Sequence, residues 1–153
     1  MALFLVQHGK NLPKEQDSDK GLSPEGSSDV ARIAGVARGY GVKVSIIKHS
    51  GKKRAQQTAE IFADALQPTD GVHASSGLGP LDDVTKAAGK LTTKDDLMLV
   101  GHLPFMEKLT SYLITGSTET TVFKFQNGGI VCLDQDLESR SWFIKWTLMP
   151  QIG

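Results

Sequence analysis

Three short apolar runs, each followed within two residues by a histidine, constrain the fold of this chain more than any other feature. The runs and their histidines are residues 3–6 with His8, residues 45–47 with His49, and residues 97–100 with His102. Runs that are this brief and this rich in aliphatic and β-branched residues predict strands buried on both faces. Helical patterns separate the runs, and such alternation predicts a mainly parallel sheet with helices on both sides.

Helix ends are marked by capping residues and by glycine or proline. Ser23, Pro24 and Glu25 supply an N-cap, a proline at the first helical position and an acid in the first turn. The predicted helices are 24–39, about 52–66, a short one at 85–91, and one after the run 97–100 that stops near residue 116.

The last third of the chain has a different pattern. Residues 120–125, 129–133 and 141–148 are strand-like, and turn signals at 127–129 and 137–139 separate them. We interpret them as an antiparallel extension or edge of the same sheet. The predicted fold class is therefore α/β: a three-layer sandwich in which helices flank a mainly parallel sheet with an antiparallel C-terminal extension.

Length and composition exclude several classes of protein. A chain of 153 residues is predicted to form one domain, 1–153, which buries roughly 68–70% of its unfolded surface without disulfides or metal. Seventeen basic residues balance seventeen acidic ones, so nucleic-acid binding is not expected. No apolar run approaches the ~20 residues that span a membrane. The single cysteine, Cys132, predicts a reducing, cytoplasmic location.

The histidines at the strand ends predict a shared site. In open α/β sheets, ligands bind at the carboxyl ends of the strands, so we expect His8, His49 and His102 to meet at one edge. The fourth histidine, His73, is assigned to the surface or to a loop.

The segment after the second strand favours an anion. Ser50 and the residues after it lead into a helix start, where free amide N–H groups and the positive dipole end attract negative charge. Arg54 adds a planar group that matches two phosphate oxygens. The alternative for Arg54 is a surface ion pair with Asp64 or Glu60, although Glu60 lies six positions on and off the same helix face.

Four short motifs occur in order between residue 3 and about residue 106. They resemble motifs of the histidine phosphatase superfamily. Gln7-His8-Gly9 is similar to its Arg-His-Gly motif, and Leu-Ser-Pro-Glu-Gly at 22–26 is similar to its Leu-Thr-x-x-Gly motif. Arg-Ala-Gln-Gln-Thr-Ala at 54–59 is similar to its Arg-Ala-x-Gln-Thr motif, and Gly-His-Leu-Pro at 101–104 to its late histidine motif. That superfamily includes the cofactor-dependent phosphoglycerate mutases. The short chain, with no room for a lid insertion, is similar to its small phosphohistidine-phosphatase branch.

The resemblance implies a metal-independent phosphatase that needs no cofactor. His8 would attack phosphorus and become phosphorylated, with its other nitrogen held by a backbone carbonyl. Arg54 and His102 would bind the phosphoryl oxygens as charge shifts onto them. Further phosphate ligands implied are Gln7, the Leu103 amide, Lys10 and Lys52, and the pocket would include Gly9, His49 and Ser50.

Two departures from the family pattern bear on activity and substrate. Gln7 stands where the family has arginine, and the exchange of a charge-assisted hydrogen bond (~1.5–3 kcal/mol) for a neutral one (~0.5–1.5 kcal/mol) implies roughly tenfold slower catalysis. The only candidates for a general acid are Asp82 and Asp83, which also fit the start of a short helix. A leaving group that departs without an acid, such as the imidazole of phosphohistidine on a partner protein, is therefore favoured.

Two alternatives remain open at this stage. One is a non-catalytic module that binds a phosphorylated ligand on the same fold, in keeping with Gln7 and the missing acid. The other is a zinc hydrolase in which His8, His49 and His102 bind the metal and leave a fourth position open.

Overall fold

The chain, described over residues 1–153 by a computed structural model, forms six strands and four helices. In chain order they are β1 (Leu3–Gln7), α1 (Pro24–Gly39), β2 (Ile46–His49), α2 (Lys53–Leu66), β3 (Val72–Ala74), α3 (Val84–Ala88), β4 (Leu97–Gly101), α4 (Phe105–Thr115), β5 (Ile130–Gln135) and β6 (Trp142–Leu148).

The six strands form one mixed sheet in the order β3-β2-β4-β1-β5-β6. The first four strands in that order are mutually parallel, whereas β5 runs antiparallel to β1 and β6 antiparallel to β5. This arrangement confirms the predicted fold class, including the antiparallel C-terminal extension. None of the helices is long and apolar enough to cross a membrane.

Side-chain alternation along β1 divides the core into two layers. Phe4 and Val6 pack with apolar residues of α1 and α2 on one face of the sheet. Leu3 and Leu5 pack on the other face with residues of α3 and α4. Every residue of β1 is buried, as expected for a strand with helices on both sides.

Helix α1 begins where the sequence predicts. The Ser23 side chain accepts a hydrogen bond from the Gly26 amide at 3.0 Å, and Pro24 occupies the first turn. Helix α2 begins at Lys53 without a side-chain cap, so the first amide groups of this helix are left without such a partner.

The predicted strand at 120–125 is wrong. The Phe125 amide donates to the Glu107 carboxylate at 3.0 Å instead of joining a ladder. Phe123 and Phe125 stack edge to face with ring centroids 5.8 Å apart, and both belong to the core layer of α3 and α4. The side chains of this segment therefore pack into that core layer, although its backbone joins no sheet. The edge strand β3 was not predicted, and α3 ends three residues before the predicted boundary.

Gly26 marks a close approach of α1 to the segment that follows β1. A Cβ atom at this position would overlap the carbonyl oxygen of Lys10. The same carbonyl accepts a hydrogen bond from the Ser23 amide at 2.9 Å, which holds it in place. The glycine of the Leu-Thr-x-x-Gly-like motif therefore lets the helix lie directly against the chain next to His8.

We expect Gly26→Ala to lower the free energy of unfolding by about 1–3 kcal/mol, because the new methyl group has no room beside Lys10. Gly35→Ala is the matched control on the same helix, since a Cβ there meets nothing within 4 Å. The control should gain about 0.5–1 kcal/mol from reduced backbone freedom. Urea unfolding measures both changes, and shifts in the same direction would contradict this account of Gly26.

Candidate active site

Parallel pairing brings the ends of β1 and β4 to the same edge of the sheet. In the register, Gln7 on β1 lies opposite Gly101 on β4, so His8 and His102 both follow the last paired residues. The His8 amide extends this pairing by donating to the Gly101 carbonyl at 2.9 Å. The centroids of the two imidazole rings are 5.0 Å apart, and their planes are inclined by 53°. The structure thus brings two of the three predicted histidines into contact.

His8 is buried and held as one neutral tautomer. Its Nδ1 atom lies 2.7 Å from the Gly9 carbonyl oxygen, and because a carbonyl only accepts, Nδ1 carries the proton. Burial, reinforced by the Arg54 charge and partly opposed by the Gly9 hydrogen bond, lowers the pKa of His8 to about 4. At neutral pH the Nε2 atom of His8 therefore has a free electron pair.

Two side chains that the sequence analysis did not single out hold the backbone around His8. The Asn127 amide donates to the His8 carbonyl at 3.0 Å. The Thr58 hydroxyl accepts from the Gly9 amide at 2.9 Å and donates to the Arg54 carbonyl at 2.8 Å. The sequence did indicate Thr58, because the Arg-Ala-x-Gln-Thr motif that it resembles includes a threonine. Asn127, in contrast, was predicted only as part of a turn.

His102 is almost fully buried beside Ser50. Its Nε2 atom and the Ser50 hydroxyl are 2.6 Å apart, while its buried Nδ1 atom has no partner in the chain. Burial, followed by the nearby His8, Arg54 and Lys52, lowers the pKa of His102 to about 3. His102 is therefore neutral at physiological pH and carries one N–H group for hydrogen bonding.

Arg54 is half-buried and its guanidinium forms neither an ion pair nor a hydrogen bond within the chain. The surface ion pair considered as the alternative is absent, because Glu60 accepts instead from the Gln56 side chain at 3.0 Å. Thr58 links Arg54 to the His8 segment, because its hydroxyl accepts from the Gly9 amide and donates to the Arg54 carbonyl. The positive charge of Arg54 lowers the pKa of both His8 and His102. An unpaired guanidinium next to two neutral imidazoles is a setting for an anion.

The other predicted phosphate ligands differ in their surroundings. Lys10 is exposed and pairs with Glu25 at 2.8 Å. Lys52 has no ion pair, and its charge acts on His102. The Leu103 amide makes no hydrogen bond in the chain. Gln7 is 9% exposed, and its buried Oε1 atom has no partner.

His49 is buried within β2 and does not join His8 and His102 in a metal site. Its Nδ1 atom accepts a hydrogen bond from the Gly51 amide at 3.1 Å. No group of three or more histidine, cysteine or acidic side chains is arranged to bind a metal ion. The geometry therefore gives no support to the three-histidine zinc hydrolase.

Asp82 and Asp83 have the structural roles of turn and cap residues. The Asp82 carboxylate accepts from the Gly79 amide at 2.7 Å. Asp83 caps α3 and accepts from both the amide and the hydroxyl of Thr85, which lower the pKa of its carboxyl group. Both carboxylates therefore already have hydrogen-bond partners in the turn before α3, and neither forms a hydrogen bond with His8 or His102.

No protein-family model and no curated protein matches the sequence. Among solved structures, the chain superposes on the protein histidine phosphatase SixA complexed with tungstate, with a TM-score of 0.82 and 24% identity over 98% of this chain and 97% of that one. The chain has the histidine phosphatase fold.

Other solved structures also superpose on the whole chain. A proposed phosphohistidine phosphatase SixA from Agrobacterium tumefaciens matches with a TM-score of 0.77 and 23% identity over 97% of each chain. A phosphoserine phosphatase from Entamoeba histolytica in complex with 3-phosphoglyceric acid matches with a TM-score of 0.72 and 16% identity over 96% of each chain. These matches confirm the histidine phosphatase fold that the four sequence motifs predict.

Above pH 6.5, we expect protonation of His8 and His102 to have no effect on the free energy of unfolding. As the pH drops from about 6.5 toward about 4, we expect the free energy of unfolding to fall. In that window the unfolded chain binds protons on these residues while the folded chain does not. The loss should reach about 1.4 kcal/mol per pH unit for each histidine. Urea unfolding at a series of pH values measures it.

The control for this measurement is His73→Gln, which changes an exposed histidine on β3. His73→Gln should keep the acid dependence of the parent protein, whereas His8→Gln/His102→Gln should reduce it to the part that remains from His49, whose pKa burial also lowers. Equal slopes in the two variants would contradict the neutral, buried state of the paired rings.

Proposed function

We propose that this protein is a metal-independent phosphatase that works through a phosphohistidine formed on His8. One observation carries the proposal: two neutral imidazoles, His8 and His102, lie 5.0 Å apart beside the unpaired guanidinium of Arg54. These groups together suit a tetrahedral oxyanion. The SixA structure that shares this fold is complexed with tungstate, which is such an oxyanion.

The first step transfers the phosphoryl group to His8. The electron pair on Nε2 forms a bond to phosphorus while the bond from phosphorus to the leaving group breaks and its electrons depart with that group. Arg54 neutralises the charge on the phosphoryl oxygens, and the Nε2–H of His102, which lies 2.6 Å from the Ser50 hydroxyl in the free protein, donates to one of them in place of Ser50. The Gly9 carbonyl keeps the proton of His8 on Nδ1, so the imidazole carries positive charge only while phosphorylated.

The second step releases phosphate. A water oxygen attacks phosphorus, the P–N bond to His8 breaks, and Nε2 recovers its electron pair. The proton lost by the water leaves with hydrogen phosphate or to solvent. The same cradle of Arg54 and His102 serves both steps, because the phosphoryl oxygens stay in place.

The substrate class follows from the missing proton donor. Asp82 and Asp83 are engaged in backbone hydrogen bonds, so a leaving group that needs a strong acid is disfavoured. The imidazole of a phosphohistidine departs without one, because its P–N bond is labile. We therefore propose phosphohistidine on a partner protein as the substrate, and the SixA-type neighbours support this choice.

We further propose that residues 1–153 act as one domain in a reducing cytoplasm. Both helix layers pack on the one sheet, so neither half has a separate core. Cys132 is buried, and burial raises the pKa of its thiol to about 11, which keeps it protonated and inert.

Incubation with radiolabelled phosphoramidate should leave acid-labile label on the protein, and His8→Ala should lose it because the attacking nitrogen is gone. We expect Arg54→Ala to slow labelling about a hundredfold, a loss typical of removing one donor to a developing charge. Labelling should proceed unchanged in chelator. Autoradiography of acid-treated and untreated samples measures these outcomes.

The control is His73→Ala, which removes an exposed histidine and should label normally. Persistent label in His8→Ala would contradict the assignment of the nucleophile. Phosphate binding that depends on Arg54, without any label on the parent protein, would instead support the non-catalytic phospho-ligand module that Gln7 allows.

We expect Gln7→Arg to raise kcat/KM on a small phosphorylated substrate by about tenfold, because a charged donor replaces a neutral one next to the phosphoryl group. Gln7→Met is the matched control: it keeps the length of the side chain, removes its donors and should lower kcat/KM. Steady-state kinetics with both variants decide the matter. A fall in the arginine variant would show that Gln7 is specifically adapted to this site.

A further inference from the structure

A wide polar groove adjoins the candidate active site. Its volume is about 710 Å³, and none of the residues that line it is hydrophobic. One side is the start of α2 with the two residues before it, including Lys52 and Arg54, and the other is the loop 14–20. Arg54 and Lys52 line the groove, and their charges also act on His102, so the groove adjoins the place where we put the phosphoryl group.

The groove is strongly positive. Five basic residues line it, against a single acid, Asp19. One of the five, Lys53, is neutralised by Asp17 at 2.9 Å, whereas the other four form no ion pair in the chain. The four unpaired cations are Lys14, Lys20, Lys52 and Arg54. The proposed phosphatase chemistry uses only Lys52 and Arg54, whose charges lower the pKa of His102, so Lys14 and Lys20 remain without a role.

The loop that carries these lysines is held in place by Asp17. Its carboxylate accepts hydrogen bonds from the Gly21 amide and the Lys53 ammonium, both at 2.9 Å, and from the Asp19 amide at 3.0 Å. These contacts lower the pKa of Asp17 to about 2, so the carboxylate stays charged at physiological pH. The groove is therefore formed before any partner binds, which limits the entropy lost on binding.

Lys20 stands in an unusual backbone conformation. Its φ angle of 52° lies in the left-handed region, which glycine or asparagine adopts more readily than lysine. Strained conformations of this kind concentrate at binding and switch sites.

We propose that this groove binds an acidic polypeptide segment that flanks the phosphorylated histidine of the partner protein. The inference rests on the proposed function and names the substrate class more closely. Pockets for small molecules are mostly apolar with a few polar groups, whereas this groove is open and has no apolar wall. Its four unpaired cations suit carboxylates spaced along a chain, and such charge complementarity mainly fixes partner choice and the rate of encounter.

The test compares two phosphohistidine peptides that differ only in their flanking residues, glutamates in one and glutamines in the other. We expect the parent protein to show a higher kcat/KM on the glutamate peptide by about fivefold at low salt. The preference should disappear in about 0.5 M NaCl, because salt screens exposed charges. Lys14→Gln/Lys20→Gln should remove it at low salt while turnover of phosphoramidate stays unchanged.

The matched control is Lys43→Gln/Lys94→Gln, which removes the same charge from two exposed lysines that precede β2 and β4, at the opposite edge of the sheet. The control should keep the preference for the glutamate peptide. Equal kcat/KM on both peptides in the parent protein, or the same loss in the control, would overturn the role of the groove and leave the phosphatase proposal intact.

Failure of the phosphatase proposal would be seen separately, as the absence of His8-dependent turnover on every substrate. In that case, fluorescence anisotropy of the unphosphorylated glutamate peptide tests the groove alone. Weaker binding to Lys14→Gln/Lys20→Gln than to the control variant supports the groove, and equal binding refutes it.

Discussion

The pairing of β1 with β4 is the constraint on which the rest of the structure depends. Its register places Gln7 opposite Gly101 and so sets His8 beside His102. A shift of one residue would move either imidazole by ~3.3 Å along the strand and turn it to the other face of the sheet. The apolar side chains that alternate between the two core layers oppose such a shift, because each would move to the other face of the sheet and lose its packing partners.

Burial and charge then act together on the paired rings. Desolvation disfavours protonation of each imidazole, and the adjacent guanidinium of Arg54 disfavours it further. Neutral histidines beside a fixed positive charge leave the site with an excess of positive potential and no internal anion to balance it. An anionic ligand supplies that balance. The proposed chemistry at His8 and the basic groove beside it therefore favour ligands of the same charge.

Most of the fold and part of the site could be predicted, because both are encoded in short stretches. Apolar runs, capping residues and the histidines after each run are local patterns. The strand predicted at 120–125 failed because an extended segment forms a strand only if a neighbour offers a ladder, and Phe125 pairs with Glu107 instead. The contact of Asn127 with His8 joins residues 119 positions apart, so no local pattern contains it.

The position of β1 in the sheet has a consequence for how the protein is made. This first strand pairs only with β4 and β5, and its end is held by Asn127, all of which are synthesised late. A nascent chain therefore emerges from the ribosome with this apolar strand unpaired until β4 and β5 have been translated. Pairing between strands so far apart in the sequence forms slowly. Until it forms, the exposed strand can bind chaperones or aggregate.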